Sequence, residues 1–296
     1  MNNTVSIAKS NIGTAVAQKE RIRLLMCGNN RVFRGMLLTV LSLVKHSERA
    51  FELYIATMDL SDLDIRYRPI NEAMRSLLEE VLHRSNPDSS VTLISLEESF
   101  RRELIGSKNI GSAYTPYAMI RLFADEIQGI GDKLLYLDTD VIARADISEL
   151  YDIDISDYHI AGSRDFFGKF FFSARYINSG VLLMNMKRMR DDDVFRRCRE
   201  LCRDKKMLLF DQHALNKYCK RKLILPRRFN EQHKTKGNTL LRHYAMTIKW
   251  FPYFHTETIK PWDKQLITEV LGERDYGDIY DEYEKIKQIS GAELCL

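Results

Sequence analysis

Leu134-Leu135-Tyr136-Leu137-Asp138-Thr139-Asp140 reads as a short, strongly apolar strand, Lys133 to Leu137, that ends in two carboxylates. In an extended segment residues i and i+2 point the same way, so Asp138 and Asp140 converge on one point. Two carboxylates held together repel and are costly unless a cation lies between them. Divalent Mg2+ or Mn2+ meets that need, bound by one or two carboxylates with substrate phosphates completing the shell. The plainer alternative is a surface turn with solvated acids. An apolar strand delivering paired acids at its C-terminal end argues against it, because ligands bind at that end of open α/β sheets.

Upstream, Ile22-Arg23-Leu24-Leu25-Met26 reads as a strand running into a turn at Gly28-Asn29-Asn30. Met36, Leu37, Val40, Leu41 and Val44 follow at helical spacing and predict a helix over about Val32 to Lys45. Phe51 to Thr57 alternates as a second strand. Pro69 suits the first turn of a helix whose apolar stripe is Ile70, Met74, Leu77, Leu78, Val81 and Leu82. Val91 to Leu96 is a third strand and Tyr114 to Phe123 a helix. Downstream, strands fall near His159 to Gly162, Gly180 to Asn185 and Leu223 to Leu225. Helices fall near Asp193 to Lys205, Asp211 to Tyr218, Lys264 to Leu271 and Tyr280 to Ile289. Strands alternating with helices predict an α/β fold with a mainly parallel sheet covered on both faces. The expected organisation is a flexible lead-in over 1–20, one α/β domain over 21–255 and a helical C-terminal extension over 256–296.

Composition bounds the reading. With 45% apolar and 29% charged residues, the chain is that of an ordinary globular protein. A formal charge of +4 is too small to imply nucleic-acid binding, and it suits an anionic small ligand or an acidic membrane surface. Cys27, Cys198, Cys202, Cys219 and Cys295 lack paired C-x-x-C spacing, which argues against a disulfide framework or structural zinc. Structural thiols in a reducing cytosol are the expectation. The polar first twenty residues carry no signal-peptide core, and no apolar run reaches membrane-spanning length. A cytoplasmic location is expected, with peripheral contact to the inner face of a membrane left open.

A strand ending in D-x-D has two enzymatic readings. One is the metal site of nucleotide-sugar transferases. The other is the aspartyl nucleophile of haloacid-dehalogenase-type phosphatases, which places the motif on the first strand of its domain; here three βα units precede it. Three further stretches follow in order: Tyr176-Ile177-Asn178-Ser179-Gly180-Val181-Leu182-Leu183-Met184-Asn185, then Asp211-Gln212-His213-Ala214-Leu215-Asn216, then His243-Tyr244 with Lys249 and Trp250. From Arg21 to Trp250 the chain resembles glycosyltransferase family 8, the retaining enzymes that include bacterial lipopolysaccharide galactosyl- and glucosyltransferases and glycogenin.

The resemblance implies a GT-A-type, Rossmann-like fold, a UDP-sugar donor, Mn2+ (or Mg2+) and a glycan or glycolipid acceptor. Asp138, Asp140 and His243 match the family's metal ligands, with Thr139 between the acids. Gly28, Asn29 and Asn30 match the nucleotide loop, and Lys249 the lysine that meets the diphosphate. Arg121, Asp165, Asn178 and Asp211 match donor-sugar contacts, and Gln212 the residue near the reacting carbon. Each has a plain structural alternative: an ion pair for Arg121, a turn for Asn178, a helix N-cap for Asp211, a satisfied core histidine for His243. Gln212 is an amide, so it orients or stabilises and does not attack. The sequence departs from the family at Asn29 and Asn30, where acids are common, and at His213 and Met246. No proline follows Lys249. Those departures keep a second function class open, a non-catalytic relative that binds nucleotide-sugar or glycan. Two basic stretches, Lys187 to Arg190 and Lys217 to Arg228, read as solvated surface, with attraction to anionic lipid as the alternative.

Overall fold

The computed structural model describes residues 20–111, 115–249, 255–274 and 276–294. The lead-in expected over 1–20 lies outside them, apart from its last residue. In chain order the strands are β1 (Ile22–Cys27), β2 (Phe51–Thr57), β3 (Ser90–Ser95), β4 (Lys133–Leu137), β5 (Val141–Ala143), β6 (Ile160–Ser163), β7 (Val181–Asn185), β8 (Lys222–Leu225), β9 (Leu241–His243), β10 (Thr247–Lys249) and β11 (His255–Glu257). The helices are α1 (Phe33–His46), α2 (Glu72–His83), α3 (Glu97–Leu104), α4 (Ser148–Tyr151), α5 (Gly168–Phe171), α6 (Met186–Asp191), α7 (Val194–Asp204), α8 (Phe210–Tyr218), α9 (Lys264–Val270) and α10 (Gly277–Leu294).

The central strands are buried on both sides, and their side chains sort by parity. Ile22, Leu24 and Met26 of β1 and Leu135 and Leu137 of β4 join one core with α1, α2 and α10. Leu25 of β1 and Leu134 and Tyr136 of β4 join the other, with α3, α7 and α8. Full burial of one such side chain contributes about 1.5–3 kcal/mol. Two-sided burial is why these strands read as continuous apolar runs and not as alternation.

The main sheet runs β3-β2-β1-β4-β7-β6-β8, and β7 alone lies antiparallel to its neighbours. Strand order reverses between β1 and β4, and the crevice at such a switch point is where α/β sheets bind ligands. The Gly28 turn after β1 and the acids after β4 both open there. Because β7 runs backwards, its start and not its end lies at the same edge, with Val181 beside Leu137.

Three readings of the sequence need correction. The helix expected over Tyr114 to Phe123, whose first residue lies outside the described residues, is replaced by a 3-10 segment over Pro116–Glu126, broken by non-helical angles at Phe123. Tyr117 and nearly every residue from Met119 to Ala124 is buried, so packing from all sides overrides the one-sided helical pattern. Pro69 lies before α2, which begins at Glu72 with the Asn71 side chain accepting from Met74 N–H. Two small antiparallel pairs, β5 with β9 and β10 with β11, have no counterpart in the sequence reading. Cys27, Cys198, Cys202 and Cys219 are free and buried, and burial pushes the Cys27 thiol up to about 12. No helix among the described residues is long and apolar enough to cross a membrane.

Candidate active site

The site is built where β4 ends. Pairing of β5 with β9 sets Val141 opposite His243, which folds the imidazole back over the acids. Asp138, Asp140 and His243 each offer one ligand atom, all within 4.8 Å of one another. His243 Nε2 lies 3.7 Å from Asp138 Oδ2 and 3.3 Å from Asp140 Oδ1. The other oxygen of Asp138 is taken, accepting from the Tyr136 hydroxyl at 2.6 Å and from Arg121 at 2.9 Å. Arg121 is buried, donates to Ser179 O at 2.7 Å and pairs with Asp211 at 3.2 Å. Burial pushes the Asp211 carboxyl up, against the pull of Arg121.

A chain of amides decides which nitrogen of His243 carries the proton. A carboxylate oxygen only accepts, so the 3.0 Å contact to Asp165 Oδ2 fixes the Asn178 NH2 there. Asn178 Oδ1 then accepts from Gly180 N–H and from the Asn230 NH2, each at 3.0 Å. Asn230 Oδ1 is left facing His243 Nδ1 at 3.1 Å, so Nδ1 bears the proton. Nε2 is therefore the nitrogen turned inward, 3.3 Å from Asp140 Oδ1, a buried oxygen without a hydrogen-bond partner. Two carboxylates and an imidazole nitrogen converging in a buried site make a donor set that a divalent cation would satisfy. The residues fit a divalent metal ion.

Lys260 closes the constellation. Its ammonium lies 2.5 Å from Asp140 Oδ2 and 3.3 Å from Tyr244 O. Burial raises the Asp140 carboxyl, and the Lys260 ammonium is foremost among the groups that outweigh it, holding Asp140 well below the usual range. Trp262, two residues on, lies under the Arg34 guanidinium at 4.5 Å, which ties the segment to α1.

The profile of glycosyl transferase family 8 matches residues 23–265. The chain belongs to glycosyltransferase family 8. Among curated relatives, the glycosyltransferase GlyA of Streptococcus pneumoniae is 31% identical over 120 residues, covering 38% of this chain and 17% of that protein. A putative glycosyltransferase of Haemophilus influenzae is 30% identical over 112 residues, covering 33% of this chain and 34% of that protein. The matched stretches thus span well under two thirds of these relatives' lengths. Among solved structures, apo GlyE of Streptococcus pneumoniae superposes with a TM-score of 0.61 at 19% identity, covering 90% of this chain and 64% of that one. The galactosyltransferase LgtC, in complex with donor and acceptor sugar analogs, gives 0.60 at 20% identity, covering 87% and 100%. At such identities the likeness concerns the fold, and the architecture is the GT-A-type fold of nucleotide-sugar transferases.

Most of the family 8 positions picked from the sequence gather at this edge of the sheet. Asn29 is buried and donates to Arg66 O at 3.3 Å, while Asn30 Oδ1 is buried without a hydrogen-bond partner, an acceptor free for a ligand. Gly28 lies beside Thr139. Asp165 and Asn178 join His243 through Asn230. Asp211 is not an N-cap, since Leu209 holds that position in α8; it lies in the first turn and faces Arg121. Gln212 Oε1 accepts from Ser179 N–H at 2.9 Å. Lys249 has its backbone in β10, and its side chain lies outside the described residues, as does Trp250.

Three residues escaped the sequence reading. Lys260 stands before Pro261 and Trp262, and that proline, absent after Lys249, was the available signal. Asn230 is fully buried and orients His243. Nothing in its neighbourhood of Arg227, Arg228 and Phe229 announced it. We expect Asn230→Ala to weaken divalent-cation affinity ten- to a hundredfold, read by calorimetry, with the fold retained. Gly180 is the third: a Cβ there would lie 2.2 Å from His243 Cε1 and 2.7 Å from Asp138 Oδ2. Gly180→Ala should displace the imidazole, abolish the thermal shift produced by Mn2+ with UDP, and destabilise the protein by about 1–3 kcal/mol.

Proposed function

We propose that this chain transfers a hexose, glucose or galactose, from a UDP-sugar to an acceptor hydroxyl on a glycan or glycolipid, with retention of the α-configuration. The single observation that carries the proposal is the buried Asp140 Oδ1, without a hydrogen bond, 3.3 Å from His243 Nε2 at the strand-order reversal. Asp138, Asp140 and His243 would hold Mn2+ or Mg2+, the imidazole favouring Mn2+. The bound ion supplies Lewis-acid stabilisation to the departing diphosphate. Lys260, able to leave Asp140 for a phosphate oxygen, takes the role that resemblance assigned to Lys249. Gly28, Asn29 and Asn30 receive the nucleoside, with Asn30 Oδ1 as a ready acceptor.

Asp165, Arg121, Asn178 and Asp211 line the donor-sugar side. Charged groups bonded to sugar hydroxyls hold the ring by about 1.5–3 kcal/mol each. Gln212 lies one residue beyond Asp211, where a preorganised amide dipole stabilises positive charge at the anomeric carbon. Activity on the cytoplasmic side of a membrane accords with a UDP-sugar donor.

The test is UDP release from UDP-glucose, UDP-galactose and their N-acetyl relatives with Mn2+, followed by NMR of the product's anomeric proton. An α-linked product is expected. A β-linked product, or UDP binding without turnover of any sugar, would overturn the proposal; the second outcome leaves a binding protein.

A further inference from the structure

Three consecutive phenylalanines stand in solvent beside the site. Phe170, Phe171 and Phe172 are 71%, 67% and 50% exposed. Scattered exposed apolar residues are ordinary, whereas a contiguous aromatic cluster rimmed by charge marks an interaction surface. The backbone holds these rings outward. Asp165 Oδ1 accepts from Phe167 N–H at 3.1 Å and Gly168 N–H at 2.6 Å, fixing the start of α5. Gly168 has no room for a Cβ, which would meet the Tyr176 ring at 2.1 Å. Phe172 stacks on Tyr176 with centroids 4.9 Å apart, and the Lys169 ammonium lies 4.7 Å from the centroid of Phe170.

The surroundings are cationic to an unusual degree. Residues 166–190 contain no Asp or Glu, and residues 205–256 contain twelve Lys and Arg against Asp211 and Glu231 alone. Both of those acids are buried, as are Lys222 and Arg242 among the cations. Phe166, under the knuckle, contacts His233 at 4.1 Å, and exposed Lys234 and Lys236 follow in the same loop. On the other flank Phe172 meets His213 of α8, preceded by exposed Lys205, Lys206 and Leu208. Acid is concentrated instead in residues 257–296, ten Asp and Glu against five Lys and Arg. The main helix of that segment, α10, packs on α1, across the sheet from α7 and α8.

Aromatic rings projecting from a predominantly basic surround, in which the part-buried Asp165 is tied to the backbone of α5, match the interface of an anionic bilayer: rings enter the headgroup boundary, and each nearby Lys or Arg adds attraction to the surface potential. An apolar protein partner would account for the rings but not for the charge. We propose that the Phe170–Phe172 knuckle is a membrane-docking element that seats the neighbouring cleft on an anionic lipid surface. What docking delivers, a lipid-linked acceptor, rests on the transferase reading; docking itself is measured without turnover.

Vesicle flotation decides it, with phosphatidylcholine alone compared with equal parts of phosphatidylcholine and phosphatidylglycerol. The intact chain should float with the anionic vesicles only, less so at raised salt. Phe170→Ser with Phe171→Ser should lower partition by about tenfold per ring. Both rings are exposed, and UDP binding in the same preparation verifies that the variant is folded. No binding to anionic vesicles, or equal binding by the variant, overturns the proposal. So does a variant that floats normally yet loses transfer to a water-soluble acceptor, since the rings then hold the acceptor. If vesicles bind but neither protein binds UDP, docking stands and the transferase reading falls.

Discussion

Replacing Asp140 by asparagine should remove divalent-cation binding and lower sugar transfer by about a thousandfold, the equivalent of ~4 kcal/mol of transition-state charge stabilisation. Asp140 is the cleaner of the two acids to change. Its Oδ1 makes no hydrogen bond and lies 3.3 Å from His243 Nε2, so little internal bonding is lost there. Asp138 also anchors Tyr136 and the buried Arg121, and Asp138→Asn leaves that guanidinium with Asp211 as its remaining carboxylate. Breaking a buried pair in this way costs about 3–5 kcal/mol, so loss of activity in Asp138→Asn mixes folding with chemistry. Cation binding, followed by the Mn2+ resonance signal, and UDP release should fall together in Asp140→Asn. Undiminished transfer in that variant, or in wild type treated with EDTA, refutes the metal role. The sign of the pH effect follows from the depressed Asp140 carboxyl. Its pairing with Lys260 contributes stability above the unfolded value of about 3.9 and loses it as pH falls through the lower, folded value.

Lys260→Ala should weaken UDP binding ten- to a hundredfold, whereas Lys249→Ala should leave it within about twofold. Loss of one charge-assisted contact to phosphate is worth about 1.5–3 kcal/mol. The contrast is drawn from position. Lys260 already lies on Asp140 and is braced by Trp262 against Arg34, while Lys249 sits in a strand pair inserted between His243 and that segment. Binding of UDP by calorimetry, with and without Mn2+, separates the two. Equal losses in both variants, or a larger loss in Lys249→Ala, would return the diphosphate role to Lys249.

The fold was legible because its signals are local. Alternation of β1, α1, β2, α2 and β3 shows as apolar strands and helical stripes, and the β4 run ending in acids marks the binding edge without reference to anything distant. The candidate cluster of Asp138, Asp140 and His243 was named from two acids at a strand end and, through the family resemblance, one histidine far along the chain. What failed was whatever depends on packing from several directions. The 3-10 segment is buried at every position from Met119 to Ala124, so no stripe distinguishes it there, and its Arg121 pairs with Asp138 after β4 and Asp211 of α8, which lie far apart in the chain.

The sequence by itself determined an α/β sheet, the strand that carries the acids, and a candidate set of donor-side residues. Only the tertiary structure decided how they meet. Reversal of β7 places Asn178 and Gly180 at the acid edge, and the β5–β9 pairing lays His243 over Asp138 and Asp140. Asn230 and Lys260 are distant in sequence from the acids they serve, and their roles are hydrogen bonds and charge contacts at about 3 Å, which no one-dimensional spacing encodes. That Nδ1 of His243 is the nitrogen donating to Asn230 is the sharpest instance. It follows from a relay through Asn178 and Asn230 that begins at Asp165, because a carboxylate can only accept, and that constraint exists only once the chain has folded.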